Sequence, residues 1–369
     1  MSRSTKRIFH QIRQFSHFLR ISPLVQEALR NGKGVVALES TVITHGLPYP
    51  HNLKTAQELE EQVKSSGSQP ATIALIDGNI HVGLDDSQLE QVATTKNAVK
   101  VSTRDIAKTL VRKELGGTTV AATMRIAHAA GIQFFATGGI GGVHRGAEQT
   151  FDISADLQEL ARTPVCVVCS GVKSILDIPK TIEYLETNSV NCVVFGKENI
   201  FPSFFTSKSE SEGQFCTTCF DEIIALQETS AQLGFSAGTL LACPIPEKFA
   251  ADGQVIQTAI DQALKEAKDQ NVNSQRVTPF ILARVNELTK GASMKTNIAL
   301  LKNNAKIAGE LANRKANSNK GTPAQNFSRD SENKKNETNL KVPRIVSIGA
   351  SIVDFEAVTE EDVKVFCEK

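Results

Sequence analysis

The sequence predicts an α/β fold of the three-layer α/β/α type, with a central mixed, largely parallel sheet between two layers of helices. Short apolar runs alternate with amphipathic helical segments along most of the chain, which is the pattern of strands joined by helices. The runs VVAL, VCVVC and TLLA show no polar alternation, as expected of strands buried on both faces. Of the 369 residues, 40% are hydrophobic and 22% are charged, which is typical of a soluble globular protein.

The predicted elements follow one another through short connections. One helix has Asn52 as its N-cap, and a later helix begins behind Pro279, a residue suited to a first helical position. In order, the predicted elements are helix 23–31, strand 35–38, helix 52–66, strand 71–76, a short segment 79–84, helix 85–94, strand 98–102, a loop and helix at 116–131, strand 134–136, helix 154–162, strands 165–170 and 190–195, helix 221–232, strand 239–246, and helices 254–270, 278–289 and 291–314.

Charge and hydropathy exclude two classes of partner. The formal net charge is +1, whereas domains that bind nucleic acids or membrane surfaces are usually basic. No apolar run approaches the roughly 20 residues needed to cross a bilayer. We therefore expect no nucleic-acid partner and no membrane association.

The seven cysteines are predicted to be reduced, because several lie inside apolar runs. Cys166, Cys169, Cys216 and Cys219 have the spacing of a four-cysteine zinc site. However, the first two lie three residues apart on a predicted strand and would point to opposite faces. Buried free thiols are the better interpretation.

Residues 1–20 have the composition of a mitochondrial presequence. They contain five arginines and lysines, no acidic residue, and apolar residues at near-helical spacing. The alternative is a basic arm without a targeting role. We expect a mitochondrial protein if this segment acts as a presequence, and a cytoplasmic protein otherwise.

A glycine-rich loop within residues 134–156 concentrates the polar chemistry of the chain. Its glycines allow backbone N–H groups to approach an anion, and His144 and Arg145 add donors suited to phosphate. Asp152 and Asp156 follow at i and i+4 and would share one side of a helix that begins near Ser154, a start for binding a hard cation. The alternative is a tight strand-to-helix connection, with His144 and Arg145 solvated and Asp152 as an N-cap.

Three further charged residues lie at or near predicted strand ends, where ligands of open α/β sheets bind. Glu39 follows a buried strand, and burial would raise its pKa and suit it to general acid catalysis. The alternative for Glu39 is a structural carboxylate bonded to backbone N–H groups.

Lys173 follows another apolar strand, where partial desolvation would free its amine for imine formation. The alternative is a lysine side chain that reaches back to water. Lys100 is a phosphate partner or an exposed strand lysine.

Two other segments offer donors near these positions. Thr118 and Thr119 stand at a helix entry, where they bind an anion or serve as an N-cap. His45 lies in a loop after Glu39, where it is a substrate donor or a surface histidine.

These stretches resemble the pseudouridine-5′-phosphate glycosidase family, also called indigoidine synthase A-like, over residues 21–314. The resemblance is carried by the motifs VVALESTVITHGLPYPHN, KVSTRD, GGTTVAATM, FFATGGIGGVHRGAEQTFDISADLQEL, VCSGVKSILD, TIEYLET, ACPIPE, TPFILARV and SMKTNIALL. Several of them are long and unusual, so the resemblance is specific.

The resemblance implies reversible cleavage of the C–C glycosidic bond of pseudouridine 5′-phosphate to uracil and ribose 5-phosphate, a reaction of pseudouridine catabolism. Uracil C5 is a poor leaving group, and members of the family open the ribose ring and form an imine between its C1′ and a lysine. The resemblance also implies a divalent metal cofactor, usually Mn²⁺, and a homotrimer.

By position in the motifs, the resemblance makes Lys173 the imine-forming lysine and Glu39 the acid/base residue. Asp156 matches the carboxylate that holds the metal, largely through waters, with Ser154 as a substrate-binding residue beside it. Asp152 is expected to be structural. The remaining substrate-binding positions implied are Lys100, Thr119, Val120, Thr137, His144 and Asn297.

One segment departs from the family pattern. Residues 206–220, TSKSESEGQFCTTCF, lack the basic and acidic residues expected there. Because we expect this segment to border the substrate, base recognition or loop closure would be altered. A non-catalytic sugar-phosphate-binding protein, with turnover lost through this segment, therefore stays open. A second alternative is an imine-forming aldolase that acts on another sugar phosphate, which would share Lys173 but need no uracil-binding surface.

The domain organisation predicted from these patterns has four parts. A presequence at 1–20 precedes a glycosidase domain at 21–315, and residues 316–342 are too polar to fold and form a linker. Residues 343–369 resemble the opening strand of a ribokinase-like sugar kinase, truncated before its glycine-rich anion-hole motif and catalytic aspartate. We expect no kinase activity.

Overall fold

The computed structural model describes residues 17–250, 252–270, 272, 277–321, 347–348 and 353–354. The chain divides into two compact units, Met1–Thr322 and Pro323–Lys369. Most of the predicted presequence, linker and kinase-like tail lies outside the described residues. In the second unit, β12 (Ser347–Ile348) and β13 (Val353–Asp354) form an antiparallel pair.

An eleven-stranded mixed sheet is the framework of the described part of the first unit. Its strands are β1 (Leu19–Ile21), β2 (Val35–Leu38), β3 (Gln69–Ile76), β4 (Asn79–Val82), β5 (Val99–Val101), β6 (Gly116–Thr118), β7 (Phe134–Ala136), β8 (Cys166–Cys169), β9 (Asn191–Phe195), β10 (Phe215–Thr217) and β11 (Thr239–Ala242).

Helices connect these strands. They are α1 (Pro23–Arg30), α2 (His51–Ser65), α3 (Asp86–Thr94), α4 (Ile106–Arg112), α5 (Val120–Ala129), α6 (Ala147–Thr150), α7 (Ala155–Leu160), α8 (Ile178–Thr187), α9 (Phe220–Gln232), α10 (Gly253–Asp269), α11 (Val277–Leu288) and α12 (Ala292–Gly321). A π-helical turn, Val42–Gly46, and the 3₁₀ turns Thr103–Asp105 and Glu247–Phe249 complete the list.

The sheet is mixed but largely parallel, as predicted. The strand order is β1-β4-β3-β2-β7-β8-β11-β9-β10, with β6 pairing to β3 and β5 pairing to β6. All neighbours from β3 through β2 to β10 run parallel, whereas β4 and β6 run antiparallel to β3. Because these parallel strands share one direction, their carboxyl ends lie along the same edge of the sheet.

The central strands are buried on both faces, which is why their sequences lack polar alternation. Every residue of β2, β7, β8 and β11 is buried. The long helix α12 packs against β2, β7 and β8, and α5 packs against α7. This arrangement confirms the predicted three-layer architecture.

Three local predictions were wrong in detail. Asn52 is not an N-cap but lies inside α2, and its amide donates to the carbonyls of Ile43 (2.9 Å) and Ala93 (2.8 Å). Asp152 precedes α7, whose N-cap is Ser154, so Asp152 and Asp156 do not share a helix face. The last helix ends at Gly321, so residues 316–321 of the predicted linker belong to α12.

The six cysteines in the described part of the chain are free thiols, as predicted, but the prediction that they are buried was wrong for Cys219. Cys166 and Cys169 are fully buried, and burial raises the pKa of both thiols, that of Cys169 to about 12. Cys219 is exposed, and the described residues include no cluster of three or more histidine, cysteine or acidic side chains that could hold a metal ion. The described helices also include none long and apolar enough to cross a membrane.

Candidate active site

Chemically active side chains gather where β2, β7 and β8 end. Glu39 directly follows β2, Thr137 directly follows β7, and Lys173 lies four residues beyond β8. Since these three strands are parallel neighbours, residues from distant parts of the chain meet at one edge of the sheet. Lys100 joins them from β5.

Glu39 is a buried carboxyl group, with 9% of its surface exposed. The Thr137 hydroxyl donates a short hydrogen bond to Glu39 Oε1. Burial raises the pKa of Glu39, and it outweighs the opposing effects of Lys173, of the Thr137 hydrogen bond and of Lys100, while Asp156 raises the pKa further. A carboxyl group that keeps its proton at higher pH is suited to general acid catalysis.

Lys100 and Lys173 bring two amines to the same place. In the described part of the chain no carboxylate lies within 4.0 Å of either amine. The pKa of Lys100 is lowered by burial and by the charge of Lys173, against the attraction of Asp156 and Glu39. Two lysine side chains without a carboxylate close by form a site that favours an anionic ligand.

Two adjoining cavities open from this cluster. The larger has a volume of about 670 Å³ and contains the glycine-loop and α7 residues, and the smaller has a volume of about 60 Å³. Both are lined by Glu39, Thr41, Lys100 and Lys173. A ligand whose reacting bond lay beside Lys173 could therefore place one part in each cavity.

Asp156 lies on the wall of the larger cavity and is held rigidly. Its Oδ1 accepts the N–H of Ala121 at 2.9 Å, and its Oδ2 accepts the N–H of Gly141 at 2.8 Å. The predicted role of this residue as a cation ligand is compatible with these bonds, because each carboxylate oxygen retains a second lone pair. A lone carboxylate suits a cation that keeps most of its waters.

The glycine loop contributes His144 but not Arg145. His144 lines the larger cavity, and its pKa is lowered by burial and by Lys100 despite the nearby carboxylate of Asp152, 3.8 Å from Nδ1. The prediction that Arg145 serves a phosphate was wrong, because Arg145 instead donates to Asp261 on α10 at 3.1 Å. Asp152 is about half exposed and also lines the larger cavity.

Three more of the predicted residues line the larger cavity at helix N-termini. Thr119 is the N-cap of α5 and Val120 is its first residue, while Ser154 is the N-cap of α7. The hydroxyl of Ser154 accepts the N–H of Asp156 at 3.2 Å. Thr118 is fully buried and does not line either cavity.

Asn297 belongs to the smaller cavity, together with His45. Burial and the charge of Lys100 lower the pKa of His45, and its Nδ1 lies 2.7 Å from the Thr44 hydroxyl. His45 is therefore a half-buried wall of this cavity and not a surface residue. Thr137, predicted to bind substrate, lines neither cavity, and its hydroxyl donates to Glu39.

Sequence reasoning missed several wall residues. Thr41 lines both cavities and donates to the Gly117 carbonyl at 3.1 Å; its position two residues after Glu39 could have indicated it. Phe204 and Leu282 line the smaller cavity, but their local sequence carries no sign of this.

The expectation that segment 206–220 borders the substrate was wrong for these two cavities, since none of the residues of this segment lines either cavity.

Comparison with known proteins shows the family to which the chain belongs. Residues 24–314 match the family model described as indigoidine synthase A like protein. Pseudouridine-5′-phosphate glycosidase 2 of Rhizobium johnstonii is 51% identical over 293 residues, covering 79% of this chain and 94% of the relative. The pseudouridine-5′-phosphate glycosidase of Arabidopsis thaliana is 49% identical over 295 residues, covering 80% and 89%.

Solved structures show the same fold. The prealnumycin C-glycosynthase crystallised with ribulose 5-phosphate is 35% identical, with a TM-score of 0.76, and the match covers 83% of this chain and 99% of the other. An indigoidine synthase A-like protein from Thermotoga maritima is 32% identical, with a TM-score of 0.73, and the match covers 81% and 97%. The chain therefore belongs to the indigoidine synthase A-like family.

Proposed function

We propose that this protein is an enzyme that reversibly cleaves the C–C glycosidic bond of pseudouridine 5′-phosphate to give uracil and ribose 5-phosphate. The observation that carries the proposal is the meeting of Glu39 with the amines of Lys100 and Lys173 at the junction of two cavities. Relatives about half identical to this chain have the name of this activity. The physiological role would be pseudouridine catabolism.

Lys173 would supply the nucleophilic amine. The C1′–O4′ bond breaks as the ribose ring opens, and O4′ keeps the electron pair and takes a proton. The neutral amine of Lys173 bonds to C1′ and gives up a proton. The electron pair of the nitrogen then forms the C=N bond of an imine as the bond between C1′ and uracil C5 breaks. Uracil C5 takes the electron pair of the broken bond together with a proton. Water then adds to the imine and releases ribose 5-phosphate, so that one water is consumed for each uracil formed.

Glu39 would hold and move the protons of this sequence. Burial raises its pKa, which favours the protonated carboxyl group, and the hydrogen bond from Thr137 fixes the orientation of that group. Lys100 adds a positive charge that would favour the anionic phosphate of the substrate. Glu39 is thus the proton donor when uracil leaves, and the proton acceptor in the reverse reaction.

The two cavities would divide the substrate between them. The larger and more polar cavity, with Lys100, Thr119, His144 and Ser154, suits ribose and phosphate. The smaller cavity, where Asn297 lies among apolar walls that include Phe204, suits a flat base with a polar edge. Lys173 lines both cavities, which supports the proposal that it acts at the bond to be broken.

A divalent cation, Mn²⁺ or another hard cation, would bind at Asp156. The fit depends on the rigid carboxylate described above and on a cavity large enough for the remaining ligands to be waters. When bound, the cation adds positive charge beside the sugar phosphate. Ser154 would lie near the cation and contact the substrate.

Electron paramagnetic resonance titration of Mn²⁺ tests this assignment without turnover. We expect Asp156→Asn to weaken Mn²⁺ binding at least tenfold and Asp152→Asn, at another carboxylate that lines the same cavity, to change it less than threefold. The opposite result would make Asp152 the ligand and Asp156 a support for the glycine loop.

The imine is tested by mass spectrometry of the full-length protein after incubation with ribose 5-phosphate, Mn²⁺ and sodium borohydride. We expect a reduced adduct on Lys173, no adduct in Lys173→Arg, and an unchanged adduct in Lys54→Arg, whose lysine is exposed on α2. Release of uracil from pseudouridine 5′-phosphate is then measured chromatographically.

The outcomes separate the remaining functions. An adduct on Lys173 without uracil release would indicate an aldolase acting on another sugar phosphate. Binding of ribose 5-phosphate with neither adduct nor uracil release, in folded protein, would indicate a non-catalytic sugar-phosphate-binding protein. Either result would reject the proposed reaction.

We also propose a homotrimer located in mitochondria, on the basis of the family resemblance and of the basic, acid-free composition of residues 1–20. Fusion of residues 1–20 to a fluorescent protein tests the location. Uniform cytoplasmic fluorescence would contradict it.

A further inference from the structure

A polar side chain is buried in the helical layer directly behind the candidate active site. Asn304 lies on α12 and is fully buried. Its Nδ2 donates to the carbonyl of Thr137 at 2.8 Å and lies 3.4 Å from that of Gly138. The hydroxyl of Ser170 lies 3.1 Å from Nδ2 and 3.3 Å from Oδ1 of the same amide.

These partners belong to the two loops that carry the proposed chemistry. Thr137 begins the loop after β7 and donates its hydroxyl to Glu39. Ser170 begins the loop after β8, three residues before Lys173. One amide side chain therefore bridges the backbone behind the acid/base residue and the backbone that leads to the lysine.

The two loops are also joined in front of this bridge. The N–H of Ile140 donates to the Gly171 carbonyl at 3.0 Å, and the N–H of Lys173 donates to the Ile140 carbonyl at 3.1 Å. A displacement of one loop would therefore move the other, and with it the separation between Glu39 and Lys173. From α12, the Asn304 amide forms hydrogen bonds with residues of both loops.

We infer that Asn304 is a positioning residue for the reaction proposed above, setting the relative placement of Glu39 and Lys173. The kinetic test of this inference depends on the proposed cleavage of pseudouridine 5′-phosphate. An apolar side chain would fill the same space without the cost of burying an amide, but it would leave the Thr137 carbonyl unpaired. A displacement of about 1 Å at reacting groups costs about 100-fold in rate.

The test compares Asn304→Ala, Asn304→Asp and Ser170→Ala with Asn303→Ala, a half-buried neighbour on the same helix, all in the full-length protein. We expect kcat for uracil release to fall about 10- to 100-fold in Asn304→Ala and about threefold to tenfold in Ser170→Ala, with KM changed less than threefold. Asn303→Ala should stay within twofold of the wild-type protein.

Asn304→Asp adds a readout that a loss of packing would not produce. A protonated carboxyl group can donate one hydrogen bond to the Thr137 carbonyl, whereas the ionised group cannot. We therefore expect the ratio of its kcat to the wild-type kcat to rise as the pH is lowered. Ratios that stay constant with pH, or kcat values within threefold of wild type in both Asn304→Ala and Ser170→Ala, would overturn the inference.

A second readout does not depend on turnover. Competitive acetylation by acetic anhydride, followed by mass spectrometry, measures the reactivity of Lys173 against exposed Lys54 in each variant. We expect at least a threefold change in Asn304→Ala. If the wild-type protein releases no uracil but the acetylation of Lys173 changes in Asn304→Ala, the proposed reaction is rejected and the positioning role of Asn304 is supported. If neither the acetylation of Lys173 nor kcat changes in Asn304→Ala, only the positioning role is rejected. If Asn304→Ala does not fold, Ser170→Ala decides.

Discussion

The buried carboxyl group of Glu39 reduces the stability of the folded protein but is suited to the proposed acid/base catalysis. An ionised carboxylate is costly where 9% of the residue is exposed, and the nearby amines of Lys173 and Lys100 reduce that cost without removing it. The pKa of Glu39 is raised in the folded state, so the folded protein binds this proton more tightly than the unfolded chain does. Stability must then depend on pH through this residue.

We predict that Glu39→Gln is more stable than the wild-type protein at neutral pH, by about 1 kcal/mol, the scale of typical stabilising substitutions at functional sites. A raised folded pKa contributes stability below the unfolded value of 4.5, and that contribution is lost as the pH rises through the folded pKa. The advantage of Glu39→Gln should therefore grow with pH in denaturant titrations. Glu61→Gln, at an exposed position of α2, is the control.

A stability difference between Glu39→Gln and wild type that is the same from pH 4 to pH 8 would contradict this account. Uracil release should be lost in Glu39→Gln at every pH, because the amide cannot donate and recover a proton.

The glycine loop after β7 is the element that joins the parts of the site. Gly141 donates its N–H to Asp156, and it packs against the side chains of Asp156 and Ser154. A Cβ at Gly141 would lie 2.7 Å from Ser154 Cβ and 2.8 Å from Asp156 Oδ2. Absence of a side chain, rather than an unusual backbone angle, is what this position requires.

Gly141→Ala should lower kcat/KM at least 100-fold, because the N-terminus of α7 must move away from the cavity. Gly196→Ala is the matched control, since its new Cβ would meet nothing closer than 3.8 Å. Kinetics of uracil release with circular dichroism melting checks the prediction. Activity within tenfold of wild type would show that α7 tolerates the shift.

The helix α12 is held close to the rest of the fold through Gly309. A Cβ there would lie 2.7 Å from Ser66 Cβ, and the Gly309 carbonyl accepts the Ser68 hydroxyl at 2.7 Å. We predict that Gly309→Ala destabilises the protein by about 1–3 kcal/mol, because overpacking outweighs the helix propensity of alanine.

Denaturant unfolding measures this effect. Gly253→Ala is the comparison, because it also lies in a helix but its Cβ would stand 3.5 Å from the nearest atom, an ordinary contact. Equal stability of the Gly309 and Gly253 variants would show that α12 can shift away from Ser66 without cost.

At the scale of the whole molecule, large apolar side chains remain exposed. Phe151, at the larger cavity, is 84% exposed, and Val111 on α4 is 83% exposed. The proposed homotrimer would cover part of such a surface. We predict a mass three times the 39.9 kDa of one chain by sedimentation equilibrium at micromolar concentration. A mass of one chain under these conditions would reject the trimer.

The sequence by itself determined the class of fold and indicated the residues proposed to carry the chemistry. Apolar runs without alternation can be accommodated only inside a covered sheet, and Glu39 and Lys173 were visible as charged residues just beyond such runs. The family motifs then implied their roles. These signals are local, because periodicity and composition are properties of neighbouring residues.

Only the tertiary structure decided which groups became partners. Thr137 bonds to Glu39 across 98 positions of the chain, Arg145 turns to Asp261, and Asn304 reaches the carbonyl of Thr137 from α12. The physical reason is that strand order and helix packing are set by the burial of the whole apolar surface. A local pattern shows that a side chain is polar and near a strand end, but it does not show what will lie opposite.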